Sequence, residues 1–146
     1  MPVSPSSPDN SISLRVPARL ENVRRLTRMV SDLALQADLS ERAVYHCRLA
    51  MDEACTNIIE HAYPTQDDGE IAMQVTLQED ELVILLTDFG LPYDPANVPH
   101  PPTHAPLDRM RPGGLGLHIM RTVMDDIQYR VSNSGNHLRM VKRRLS

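Results

Sequence analysis

The chain has 146 residues, 41% of them hydrophobic, which is enough for one core and too little for two ordinary domains. A formal net charge of −4 leaves no basic field to hold nucleic acid by phosphate neutralisation, so direct DNA or RNA binding is disfavoured. Of 15 basic residues only Lys142 is a lysine, and no glycine precedes it, so a GxxxxGK[ST] phosphate loop is excluded and any phosphate clamp must use arginine or backbone.

Met1 to Asn10 holds three prolines and three serines and reads as a disordered tail, with residues 11–146 as the folded domain. No basic-then-apolar leader opens it and no stretch nears the roughly 18 apolar residues of a membrane span, so a cytoplasmic protein without membrane contact is expected. SISLRV alternates at the strand period and Pro17 ends it. From Ala18 to about Ala37, Leu20, Val23, Leu26, Val30 and Leu33 recur at helical spacing, while Arg19, Arg24, Arg25 and Arg28 lie mainly off that stripe, on a solvated face.

Ser40 is a good cap for a second helix running to about Tyr63, stopped by Pro64. At about 100° per residue, Val44, Cys47, Met51, Cys55, Ile58, Ile59 and Ala62 gather on one side, and Glu53, Asn57 and Glu60 on the other, polar side. Cys47 and Cys55 should lie roughly 12 Å apart by helical rise, beyond disulfide reach, and are expected as free thiols. QDDG is turn chemistry, and EIAMQVTL and ELVILLTD then read as an antiparallel hairpin turning at Glu79 and Asp80.

Gly90 to Pro112 contains seven of the twelve prolines and must be a long loop of the kind that serves as a lid. His100 and His104 within it, with no acid or cysteine close by, read as solvent-exposed loop residues, and His61 and His118 as structural or nucleotide-packing groups rather than catalytic ones. GLGLHIMRTVMDD gives a third helix, and IQYRVSN and HLRMVKRRL two last strands joined by SGN.

Three segments carry chemistry. Glu53 and Asn57, at i and i+4, put a carboxylate base and a neutral amide oxygen on one side of a helix, and such an oxygen suits Mg²⁺, which takes hard ligands and borrows others from phosphates. Asp88, ending an apolar strand before Phe89 and Gly90, can accept a hydrogen bond from an exocyclic amine such as adenine's, with Asp94 following in the same loop. Gly113, Gly114 and Gly116 sit where the proline-rich loop becomes a helix, with Leu115 between them, so backbone N–H groups can face a triphosphate.

In that order, DEACTNIIEHAYP resembles the N box, DFGLPYDP the G1 box and GGLGLHIM the G2 box of the GHKL ATPases (gyrase, heat-shock chaperone, histidine kinase and MutL type). The size and the wording of the boxes resemble the anti-sigma regulatory factors, which are serine/threonine protein kinases, and the likeness runs from about Ser11 onward. The resemblance implies an α+β fold, a two-layer sandwich of the Bergerat type, with a mixed, mostly antiparallel sheet, helices on one face and an ATP lid at about 91–112. It implies Glu53 as general base, Asn57 as Mg²⁺ ligand, and Asp88, Gly90, Asp94 and the Gly113–Gly116 backbone as ATP contacts, with Arg109 or Arg111 reaching the γ-phosphate from the lid. Its lid is unusually rich in proline. The partners it implies are a small STAS-type antagonist, which would be phosphorylated, and a sigma factor held inactive by partner switching; family members often dimerise. The rival reading is a non-catalytic, nucleotide-dependent binding switch of the same fold, and Glu53 separates the two, because a pure binder needs no base.

Overall fold

The computed structural model describes residues 11–65, 68–92 and 114–145, with the backbone alone for 114–117. The tail to Asn10, Gln66 and Asp67 of the QDDG turn, and nearly all of the proposed lid fall outside them. Strand β1 (Ser11–Pro17) leads to helices α1 (Leu20–Gln36) and α2 (Glu41–Asn57), with a π-helical turn at Ile58–Ala62. Strands β2 (Glu70–Gln78) and β3 (Glu81–Asp88), helix α3 (Gly114–Val123) and strands β4 (Asp126–Ser132) and β5 (Gly135–Arg143) complete it.

The strands form one sheet in the order β1-β2-β3-β5-β4, and the mostly antiparallel character expected of it holds at all four pairings. Alternation explains why the core lies against one face of the sheet, with the Val83–Val141 pair the buried exception on the other. Ile71, Met73 and Val75 of β2, Leu82, Ile84 and Leu86 of β3, and Leu138 and Met140 of β5 point into the core. Gln74, Leu85, Thr87, His137 and Arg139, one residue out of phase, line the other face. All three helices pack on the core side, with α2 between α1 and α3, and Leu26, Val30, Met51 and Met120 reach the sheet completely buried. Each such side chain stabilises the fold by about 1.5–3 kcal/mol relative to exposure.

The helix boundaries follow local chemistry. The Ser40 side chain accepts a hydrogen bond from the Ala43 N–H at 3.0 Å, capping α2. Helix α1 ends in a Schellman motif, with Leu39 N–H on the Ala34 carbonyl at 3.0 Å and Asp38 N–H on that of Leu35 at 3.1 Å. Asp38 takes the left-handed position usually given to glycine (φ 60°), which a short polar side chain tolerates. Cys47 and Cys55 are buried free thiols, both pushed up to about 12 chiefly by burial, which makes them inert packing groups.

Lys142 occupies an inward position on β5 and is buried. Its ammonium donates to the Val123 carbonyl at the C-terminal end of α3 at 2.5 Å and lies 3.7 Å from Asp125. A cation there complements the helix dipole and ties α3 to the sheet, at the end of α3 away from its glycines.

Candidate functional site

Helix α2 supplies the first part of the site. Glu53 is half-buried, and its carboxyl is held above the usual carboxylate range by burial first, then by the negative charges of Asp52 and Glu60. Asp52 is steadied by α1, whose buried Thr27 hydroxyl donates to it at 2.8 Å. Asn57, on the polar side of the helix, is only 4% exposed, and α2 is flanked by both other helices. Its amide nitrogen has no hydrogen-bond partner among the described residues. A buried polar group left in that state costs about 1–3 kcal/mol, so the position calls for a partner beyond the described residues.

Beyond Asn57 the helix does not continue regularly to Tyr63 as periodicity suggested. Its last turn widens, and the Tyr63 N–H bonds the Ile58 carbonyl, five residues back, at 3.2 Å. The widened turn brings the chain onto the end of β3, where the Ala62 carbonyl accepts from the Leu91 N–H at 2.9 Å. The approach needs Gly90, since a Cβ there would lie 2.2 Å from the Ala62 oxygen. The group that Gly90 admits is therefore the end of α2 itself.

Asp88 is the second part. It is 5% exposed, and its Oδ1 accepts from the Asn136 amide at 2.8 Å and the Gly90 N–H at 3.0 Å. Burial raises its carboxyl above the ordinary range, and these two donors and nearby His137 pull it back. Its other oxygen takes no hydrogen bond from the described residues, leaving it for an external donor such as an amino group. Asn136 is the cross-strand partner of Asp88 in the β3–β5 register and also donates to the Gly90 carbonyl at 3.0 Å. Sequence reasoning missed this residue. The signal was a polar side chain at the head of the inward series Asn136, Leu138, Met140.

The third part is the start of α3. Gly114, Leu115 and Gly116 form its first turn, and α3 packs along α2. Gly113, Asp94, Arg109 and Arg111 lie outside the described residues, as do His100 and His104. His61 sits 4.0 Å from Glu60, and His118 is exposed on α3. The fold thus brings Asp88 and Gly90 onto the end of the helix carrying Glu53 and Asn57. The residues fit magnesium-bound ATP in two respects: a buried amide whose nitrogen has no partner among the described residues, and a buried carboxylate with one oxygen that takes no hydrogen bond from them.

A family model described as a histidine kinase-like ATPase domain matches residues 16–142. The serine-protein kinase RsbW of Bacillus velezensis is 32% identical over 136 residues, covering 90% of this chain and 84% of the relative. The RsbW of Bacillus subtilis is 31% identical over the same shares. Among solved structures, the RsbU and RsbW domains of Rv1364c from Mycobacterium tuberculosis superpose with a TM-score of 0.66 at 14% identity, over 94% of this chain and 33% of that one. The mycobacterial sensor histidine kinase MprB superposes at 0.54 and 13% identity, over 92% and 99%. At those identities the structural matches show the fold alone; with the family match and the sequence relatives beside them, the chain belongs to the histidine kinase-like ATPase family.

Proposed function

We propose that this chain is a cytoplasmic ATP-dependent serine/threonine protein kinase that phosphorylates a small STAS-type antagonist and, when not doing so, holds a sigma factor inactive by partner switching. Its relatives named as serine-protein kinases and the composition of the site support this reading. The single observation that carries it is the pairing, one helical turn apart, of a partly exposed carboxylate with a buried amide, on a helix whose following turn is hydrogen-bonded at Ala62 to Leu91, three residues past Asp88.

Glu53 is only partly buried and can accept the proton of an incoming serine or threonine hydroxyl, and its raised pKa strengthens it as a base. The Asn57 side-chain oxygen would hold magnesium, since rotating the amide by 180° exchanges its two ends. Asp88 orients the adenine by accepting from its amino group, and the N–H groups at the start of α3 face the phosphates. Arg109 or Arg111 is assigned to the γ-phosphate. Magnesium-bound ATP supplies the phosphoryl group and charge neutralisation, so the chain contributes mainly positioning.

The test is calorimetric titration with ATP, with and without millimolar Mg²⁺, followed by a search for phosphotransfer to co-purifying proteins. Magnesium-dependent heat and a labelled partner serine are expected. Binding without transfer points instead to the non-catalytic switch, and no heat with any adenine nucleotide overturns both.

A further inference from the structure

Tyr63 belongs to none of the roles assigned so far, yet three elements meet on its side chain. Its ring is 6% exposed. Its hydroxyl donates to the Glu70 carbonyl at the start of β2 at 2.8 Å and accepts from the Phe89 N–H, just past the end of β3, at 2.7 Å. An ordinary core tyrosine needs one partner for its hydroxyl; here both the proton and the lone pair serve backbone groups of two different strands. The ring is seated by backbone, for a Cβ on Gly69 would come within 2.5 Å of it and one on Gly90 within 2.9 Å.

What Tyr63 connects gives this arrangement its use. On one side it directly follows the π-helical turn Ile58–Ala62, five residues that Asn57 immediately precedes. On the other it holds the amide next to Asp88. The phenol, with the Ala62–Leu91 hydrogen bond beside it, thereby sets the span between the buried amide and the buried carboxylate. We infer that Tyr63 is a positioning residue that fixes the distance between the phosphate end and the adenine end of the site, so that the protein recognises a whole nucleoside triphosphate rather than its base. The inference rests on the proposed nucleotide reading. A ligand gripped at both ends gains from the second contact only if the two grips are held at its own length. Loosening the span then weakens ligands that bridge it and spares ligands that use one end.

Calorimetric titration of the full chain with Mg-ATP and, separately, with adenosine distinguishes this from a merely structural role. Tyr63→Phe keeps the ring and removes the bolt. Mg-ATP should bind about tenfold more weakly to it, while adenosine stays within about twofold of the wild type, because only the bridging ligand depends on the span. Gly69→Ala crowds the ring from the β2 side without touching Asp88 and should give the same divergence, which keeps the test decisive should the phenylalanine variant not fold. Parallel loss of ATP and adenosine, or no loss of either, overturns the positioning role. A wild-type chain that binds neither ligand overturns the nucleotide reading and this inference with it.

Discussion

The Asp88 corner and the Glu53 face differ in how they are held. At the corner Asp88, Asn136 and Gly90 exchange hydrogen bonds of 2.8–3.0 Å, and the first two are at most 5% exposed. Along α2 and the turn that follows it, Asp52, Glu53 and Glu60 stand as three like charges, Asp52 and Glu60 exposed and Glu53 partly so, with no ion pair to a lysine or arginine among the described residues. The difference is what the proposed transfer to another protein would need. A fixed small ligand is best met by a preorganised, desolvated pocket, whereas a protein hydroxyl must enter from solvent to reach its base.

Substitutions can break that division of labour. The largest effect is expected from Glu53→Gln, which keeps the shape and removes the base. Phosphotransfer should fall by about 10²–10⁴-fold, followed with labelled ATP, while ATP affinity changes little. Turnover at the wild-type rate would refute the assigned role. Next, Asp88→Asn should weaken Mg-ATP binding by about tenfold or more, because one hydrogen-bond acceptor facing the base becomes a donor, roughly a 1.4 kcal/mol loss.

The same variant should nevertheless gain stability at neutral pH. The folded-state pKa of Asp88 is raised above its ordinary 3.8, so ionised Asp88 destabilises the fold at all pH values above that raised pKa. The penalty disappears as pH falls below 3.8. Thermal denaturation scans should therefore find the Asp88→Asn advantage at pH 7 and lose it in acid. A variant less stable than wild type at pH 7 would contradict this sign.

Asn136→Ala should have a smaller, mixed effect, since it leaves the Gly90 carbonyl and one site on Asp88 without a donor. Urea denaturation should show a loss of about 1–3 kcal/mol, with ATP affinity reduced severalfold. The smallest effect sharpens the electrostatic half of the comparison. The ascending limb of the kcat/KM profile, set by Glu53, should lie above 4.5, and Glu60→Gln should move it toward lower pH by removing one like charge. An unchanged or upward-moved limb would assign the titration to another group.

Much of the fold was legible before any coordinates. Period-two alternation placed the β2–β3 hairpin and the last two strands, and the i, i+3, i+4 pattern placed α1 and α2 to within a few residues. The Ser40 cap and the free cysteines were also local facts. For the candidate site, residue types and spacing marked Glu53, Asn57, Asp88 and the glycines. They did not reveal the burial of Asn57, because a helix's polar side looks the same whether water or another helix faces it.

The sequence by itself determined which stretches are helix or strand and which side chains can do acid, amide or phosphate chemistry, since both follow from neighbours within one or two turns. Only the tertiary structure decided which of those groups meet. Asn136 reaches Asp88 from 48 residues away through strand register, and Tyr63 reaches Phe89 across 26 because one helical turn widens. Contacts at that separation depend on how whole faces pack, a property that no local pattern of residues encodes.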